Sequence, residues 1–595
     1  MVYHFSEPLI NARRNMTDSF PNARWVCKDA DPNQVTALQR ELRIHPIIAH
    51  LLVGRGVNSP TQAESFLSPS MDELSDPFLL PDAAAACERL KQALVNKERI
   101  QVYGDYDGDG VTSTALWTRM LTALGGEVLP FVPHRKRDGY DLRADGVETA
   151  ARNKCSLILT TDCGIQRVDE VEHARGLGID VIITDHHLPH EKLPSACAVV
   201  NPHRADSEYP FKDLAGVGVA FRLGEALVRT LGQSVTGYHR AYIDLCAIGT
   251  ITDIMPLTHD NRILVSHGLK SLASSKKPGI RALLKFAAED RKSSGGDVTV
   301  ETVSFGLGPR LNAASRMGET DLALKLLLTR DHVEGEILAG QLNQMNLSRR
   351  EDQRKIFTEA VQLVEEYPED RCLVVSGEGW SAGLVGLVAG KLLEKTGRPA
   401  IVIACDSDTN VGRGSARSIP AFHIADALQR CSDLLKEFGG HSCAAGFSID
   451  PQNIPLLRSR INEIASTQLT DSDLAPVIDV DMAISLDDLS EDLMEGIWRL
   501  APFGNGNPMP VFVSEASRLV EVKTMGKEQE HLRLLFRAEG IKGDKLIAAP
   551  LWRMGKYAAE FEKFSSLDIC YSLALNEFNG RTSLQLEIKD IRPPD

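Results

Sequence analysis

Apolar and polar residues along the chain follow two alternating rhythms. Short apolar runs at 100–103 (I-Q-V-Y), 157–160 (L-I-L-T), 181–184 (V-I-I-T) and 198–200 (A-V-V) read as strands. A-A-A-A-C-E-R-L-K-Q-A-L-V-N-K (83–97) and the stretches between the runs have helical periodicity. Strand and helix alternating at this spacing predict a parallel α/β sheet. The first ~85 residues read as short amphipathic helices broken by Pro and Ser, and 221–288 as helix-rich. Over 331–366, Val333, Ile337, Leu338, Leu342, Met345, Ile356, Phe357, Leu363 and Val364 predict one long connecting helix. A smaller α/β unit follows, from about 372 to 466. From about 476, strand-like runs with turn signals predict a small β-barrel. The expected division is a helical segment 1–82, an α/β domain 83–320, a connecting helix 321–368, a second α/β domain 369–468 and a barrel 469–595.

Composition narrows the picture. The 595 residues carry a net charge of −15, with 43% hydrophobic and 25% charged residues. That suits several globular domains. It argues against wholesale electrostatic binding to nucleic acid or an anionic membrane, though not against a local basic groove. The 11 cysteines contain no C-x-x-C pair, so neither a disulfide framework nor a thiolate zinc site is expected. With no apolar core of signal-peptide length and no long apolar run, a reducing, cytoplasmic location is expected.

The chemistry lies where the runs end. Residues 104–110 read G-D-Y-D-G-D-G, placing Asp105, Asp107 and Asp109 at every second position. T-D-C-G (161–164) carries Asp162, T-D-H-H (184–187) carries Asp185, His186 and His187, and L-C-A-I-G-T-I-T precedes Asp253. Ligands of open parallel sheets bind beyond the carboxyl ends of the strands, so these groups are expected in one crevice. Carboxylates so crowded cannot all stay charged without cations. Asp and His donors without thiolates favour Mn²⁺ or Mg²⁺, and two such ions about 4 Å apart suit phosphodiester hydrolysis. A calcium loop is excluded, because the twelfth residue from Asp105 is Leu116 and not Glu. One strand-end Asp by itself is most often a cap or turn residue; four motifs in order are what carry the reading. Gly110 is expected at the tight turn into the next helix, and Thr112 and Ser113 as its caps.

These motifs resemble the DHH phosphoesterase superfamily, and from about residue 40 onward the chain is similar to its RecJ branch of single-strand-specific 5′→3′ exonucleases. L-A-G-V-G-V-A-F (214–221), L-G-P-R-L-N-A-A-S-R-M-G (307–318), G-R-G-S-A-R-S (412–418), F-G-G-H-S-C-A-A-G-F (438–447) and P-F-G-N-G-N-P (502–508) add to the likeness. The resemblance implies metal ligation by Asp107, Asp109, Asp162, His186 and Asp253, with Asp105 in the same cluster. It implies a phosphate or proton-transfer role for His187, and makes Asp185 an orienting acid of the catalytic group. Arg310 and Asn312 match residues that approach substrate phosphates. Ser415 and Arg417, joined by Arg135, match a pocket for the 5′ phosphate, and His441 matches a substrate-binding histidine. The terminal barrel resembles an OB-fold, with Trp552, Arg553, Tyr557, Phe578 and Arg581 as strand-stacking residues and Tyr571 as core.

The implied activity is removal of nucleotides from the 5′ end of single-stranded DNA in recombination and repair. It implies a monomer working beside single-strand-binding protein and a helicase. Two departures stand out: Ser381 in W-S-A-G-L-V-G replaces a family histidine, and Asp141 in G-Y-D-L replaces a glycine, which would place an extra acid near the substrate. Two rival readings exist. A DHH enzyme acting on oligonucleotides or cyclic dinucleotides would generally lack the terminal barrel. An inactive DNA-binding scaffold would have lost several of the acids.

Overall fold

The computed structural model describes residues 23–134, 139, 141–291, 297–540, 543–578 and 581–594. Two compact units emerge. Among the described residues, one comprises Glu64–Arg349 with Leu500–Pro508; the other comprises 23–63, Arg350–Arg499 and the chain from Met509 on. The first strand of the described chain is β1 (Arg24–Cys27).

In the first unit, β2 (Arg99–Gly104), β3 (Glu127–Phe131), β4 (Leu157–Thr161), β5 (Asp180–Thr184) and β6 (Ala198–Val200) form a parallel sheet in the order β3-β2-β4-β5-β6. Helices cover both faces, so the inner strands are apolar on both sides. Ile100, Val102, Leu157, Leu159 and Ile182 pack into one core, while Tyr103, Ile158, Val181, Ile183 and Val199 pack into another. The edge strand β3 was not expected. Its E-V-L-P-F sequence holds a proline and is only half-buried, as an edge permits. Register places Gly104 beside Thr161, and Thr161 beside Thr184. The residues that follow, Asp105, Asp162 and Asp185, therefore emerge at the same end of the sheet.

The expected connecting helix is the single 34-residue helix His332–Glu365; the stretch from 321, assigned to it above, is instead the separate helix Thr320–Leu328, whose Leu324, Leu326 and Leu327 pack into the core of the first unit. In the second unit, β7 (Leu373–Glu378), β8 (Ala400–Asp406), β9 (Val411–Arg417), β10 (Leu435–Gly440) and β11 (Ala444–Ile449) form a mixed sheet, β10-β11-β9-β8-β7. β12 (Val477–Val480) pairs in parallel with β1. β1 lies in a region expected to be helical. Four residues with a partner this distant in sequence give no periodic signal of their own. After β13 (Met482–Ala483) come β14 (Phe512–Met525), β15 (His531–Gly540), β16 (Gly543–Leu551), β17 (Ser566–Phe578) and β18 (Arg581–Arg592). They form the expected barrel, closed by pairing of β14 with β17. Tyr571 lies in its core, sharing a 2.8 Å hydrogen bond with Ser514. P-F-G-N-G-N-P (502–508), which precedes the barrel in sequence, belongs to the first unit.

Candidate metal centre

The acidic turn after β2 is built by its own side chains. Asp107 caps the Gly108–Ala123 helix, its Oδ1 accepting from the N–H groups of Asp109 and Gly110 at 3.0 Å each. Thr112 and Ser113 are not caps, contrary to expectation; their hydroxyls donate back to the carbonyls of Gly108 and Asp109. Gly110 also has a different purpose from the expected turn. It lies within the helix, where a β-carbon would sit 2.4 Å from the Asp105 carbonyl oxygen, so its bareness lets Asp105 approach.

Asp109 is buried and held by a helix N-terminus. Its Oδ2 accepts from Gly216 N–H (2.7 Å) and its Oδ1 from Val217 N–H (2.8 Å), in the first turn of the Gly216–Thr230 helix. Gly216 must also be bare, since a β-carbon there would lie 2.6 Å from Asp162 Oδ1. Asp162 is 2% exposed and has a left-handed φ of 63°. Asp253 comes from the C-terminal cap of the Val235–Thr252 helix and not from a strand end. Asn505 supports it from behind: its side chain donates to the Ile254 carbonyl (2.7 Å), and its own carbonyl accepts from Leu257 N–H (2.7 Å).

The two histidines share one organiser. Asp185 Oδ1 accepts from His186 N–H (2.7 Å), His187 N–H (3.1 Å) and His187 Nδ1 (2.8 Å), while Oδ2 accepts from Ile165 N–H (3.0 Å). Burial would raise this carboxyl, but hydrogen bonds and charge from the histidines outweigh it and hold Asp185 low. Asp185 thus holds both histidine backbones and the His187 ring in place. Burial would lower His187, but Asp185 pushes it up to about 9. Burial, with His187 behind it, pushes His186 down to about 4, leaving a neutral ring suited to ligation.

His186 Nε2 lies 3.1 Å from Asp162 Oδ1 and 3.6 Å from Asp253 Oδ2, yet among the described residues neither buried oxygen receives a hydrogen bond. Such oxygens are costly unless something else satisfies them. Asp162–His186–His187, Asp109–His186–Asp253 and Asp105–Asp107–Asp162 each bring three donor atoms within 4.8 Å of one another. Hard oxygen donors with imidazole fit Mn²⁺ or Mg²⁺. Burial, followed by repulsion from Asp107, pushes Asp109 up to about 7. Burial, followed by Asp109 and Asp107, pushes Asp253 up to about 9. For an acid raised on folding, the stabilising contribution is full below its unfolded pKa and is lost as pH climbs through the folded value. Metal-free protein is therefore expected to lose melting temperature relative to its Asp253→Asn variant as pH rises from about 5 to about 9. Added Mn²⁺ should reverse the loss. Scanning calorimetry at constant ionic strength checks this, and a flat difference between the two proteins would refute it.

The remaining expected residues divide. Asn312 is close to the acidic turn, its Oδ1 accepting from Gly108 N–H at 2.8 Å, so it braces the loop. Arg310 does not present itself to a substrate. It is 1% exposed, donating to Asn343 (3.0 Å), the Gly306 carbonyl (2.7 Å) and Asp290 (3.0 Å). The helical position that carries Arg310 turns inward, which its motif could not show. Asp141 adds no acid to an open surface either, being buried against Arg167. Arg135 lies outside the described residues.

In the second unit, Ser415 and Arg417 are on β9 beside the first turn of the Val385–Thr396 helix. A β-carbon at Gly386 would lie 2.9 Å from Ser415 Oγ and 3.5 Å from Arg417 Nη2. Arg417 donates to the Ala416 carbonyl (2.8 Å) and weakly to Ser415 Oγ (3.4 Å), and among the described residues no carboxylate pairs with it. Ser381 lies at the entry to the same helix, its carbonyl accepting from Leu384 N–H. His441 is exposed in the hairpin between β10 and β11 and is not a core residue. On the barrel, Trp552 is exposed and meets His531 edge-on at 5.0 Å. The side chains of Phe578 and Arg581 lie outside the described part.

A parallel sheet whose strand ends gather carboxylates around D-H-H defines a DHH-family protein. The DHH family, N-terminal domain, matches residues 99–250, the DHHA1 domain matches 369–467 and the RecJ OB domain matches 480–590. The single-stranded-DNA-specific exonuclease RecJ of Bacillus subtilis is 38% identical over 568 residues, 95% of this chain and 70% of that protein. The Escherichia coli exonuclease of the same name is 34% identical over 568 residues, 92% of this chain and 96% of that protein. The crystal structure of RecJ with Mn²⁺ from Thermus thermophilus superposes with a TM-score of 0.81 at 31% identity, over 96% of this chain and 80% of that one. A second Thermus structure holds Mg²⁺, with a TM-score of 0.76 at 29% identity over 96% of this chain and 79% of that one. The chain belongs to the RecJ family of single-stranded-DNA-specific exonucleases.

Proposed function

We propose that the protein hydrolyses single-stranded DNA from its 5′ end, in recombination and repair, using Mn²⁺ or Mg²⁺. The observation that carries this reading is the cluster of buried, hydrogen-bond-free carboxylate oxygens around His186. Asp105, Asp107, Asp109, Asp162, His186 and Asp253 are the ligand set. Bound divalent metal supplies positive charge against the developing phosphate charge and lowers the pKa of the attacking water. Asp185 fixes both histidine backbones and the His187 ring. His187, with 42% of its side chain exposed, holds a proton toward the scissile phosphate. The chemistry belongs to residues 83–320, and end recognition to 369–468. We place the enzyme in the cytoplasm as a monomer, beside single-strand-binding protein and a helicase.

Polarity rests on Ser415 and Arg417. An arginine with no carboxylate partner among the described residues, next to a serine and a helix N-terminus, suits a terminal phosphate. Strands labelled at either end, with Mn²⁺ or Mg²⁺, test the function: label released at equal rates from both ends would reject 5′ polarity. Arg417→Gln is expected to reduce the preference for 5′-phosphorylated over 5′-hydroxyl strands about tenfold or more, the range for hydrogen bonds to a charged group. Competition assays measure that ratio. The terminal barrel favours this reading over a DHH enzyme acting on cyclic dinucleotides, and the complete acid set favours it over an inactive scaffold.

A further inference from the structure

Asp141 is 4% exposed and has a φ of 75°. Glycine would take this left-handed conformation freely, whereas aspartate adopts it at a conformational cost. A buried carboxylate adds a desolvation cost unless it is fully engaged. Asp141 is engaged on every side. Oδ1 accepts from Leu142 N–H (2.8 Å) and Gly164 N–H (2.7 Å), and Oδ2 accepts from Arg167 Nε (2.7 Å). Its carbonyl accepts from the Tyr103 hydroxyl (3.0 Å), which ties it to β2.

The turn it grips is T-D-C-G, which carries Asp162. Two of its residues, Asp162 (φ 63°) and Gly164 (φ 106°), lie in the left-handed region. Three N–H groups of residues 161–165 are taken by three different neighbours. Asp162 N–H donates to the Thr184 carbonyl (3.0 Å), Gly164 N–H to Asp141 Oδ1 (2.7 Å) and Ile165 N–H to Asp185 Oδ2 (3.0 Å). Asp141 does for Gly164 what Asp185 does for Ile165.

We propose that Asp141 is a positioning residue of the metal centre, pinning the 161–165 turn so that Asp162 faces its cluster. This rests on the reading of Asp162 as a metal ligand. A glycine at 141 would relieve the backbone but leave Gly164 N–H and Arg167 without these acceptors. The strain is thus the cost of holding the turn in place.

Mn²⁺ binding to metal-free protein, followed by calorimetry and by the electron paramagnetic signal of free Mn²⁺, tests the assignment. Asp141→Gly is expected to weaken binding about 10- to 100-fold, as losses of ligand-orienting partners do. DNA hydrolysis should recover to within a few-fold at saturating Mn²⁺. Asp141→Asn keeps an oxygen for Gly164 but sets an amide against Arg167, so its loss should be smaller yet measurable. A residue that merely supports the fold would lower the melting temperature and leave Mn²⁺ affinity untouched; unchanged affinity in both variants overturns the proposal. If Asp141→Gly does not fold, Asp141→Asn alone decides by the same criterion. Asp162→Asn is measured alongside: unchanged affinity there defeats the ligand reading itself, whereas a loss there without one at Asp141 defeats only this inference.

Discussion

Asp162→Asn is expected to slow hydrolysis of single-stranded DNA about 10³-fold or more at saturating Mn²⁺. A factor of 10³ corresponds to about 4 kcal/mol of transition-state stabilisation, within the several kcal/mol that a divalent ion contributes to phosphoryl chemistry. Asp162 belongs to two of the three donor groupings and is the buried acid nearest His186 Nε2. Asparagine is the informative replacement. It preserves volume beside Gly216 and tolerates the left-handed φ that alanine would resist. It removes the charge and leaves the turn's backbone hydrogen bonds in place. Single-turnover rates on 5′-labelled strands, with circular dichroism as a check on folding, provide the measurement. A rate within tenfold of wild type would mean that Asp162 is not a ligand.

The second large effect concerns the scaffold. Arg222 is 0% exposed on the Gly216–Thr230 helix, whose first turn holds Asp109. Its guanidinium donates to Glu225 and to the Ser75 carbonyl, and Glu225 also pairs with Arg229 and with His239 (3.0 Å). Arg222→Met would leave Glu225 buried with less positive charge around it. The expected cost is about 3–5 kcal/mol, the range for breaking a buried pair from one side. Removing both partners, in Arg222→Met with Glu225→Gln, should cost less than the single change. Trp117 is the only tryptophan within the first unit, so a variant with the other four changed to phenylalanine reports on that unit during urea unfolding. A loss below about 1 kcal/mol would show that the network contributes little.

Family and chemistry were legible in the sequence because strand-end acids are local patterns. Asp105, Asp107, Asp109, Asp162 and His186 follow or adjoin runs whose apolar character marks them as strands. Arg310 was not legible, because its motif carries no information about which way the helical position turns. Nor was the backing of the site. Gly216 and Val217 offer backbone N–H groups, and Asn505 reaches Ile254 from a segment about 250 positions later.

By itself the sequence determined the parallel sheet, the long helix, the terminal barrel and the identity of the acid cluster. Periodicity and strand-end position are properties of neighbouring residues. Tertiary structure alone decided which carboxylate oxygens are met by hydrogen-bond donors of the chain and which are not. Asp185 and Asp141 are saturated by N–H groups and by His187 or Arg167, while Asp162 and Asp253 keep buried oxygens without hydrogen bonds among the described residues. That difference depends on donors brought in from distant segments, and so arises only once the chain has folded.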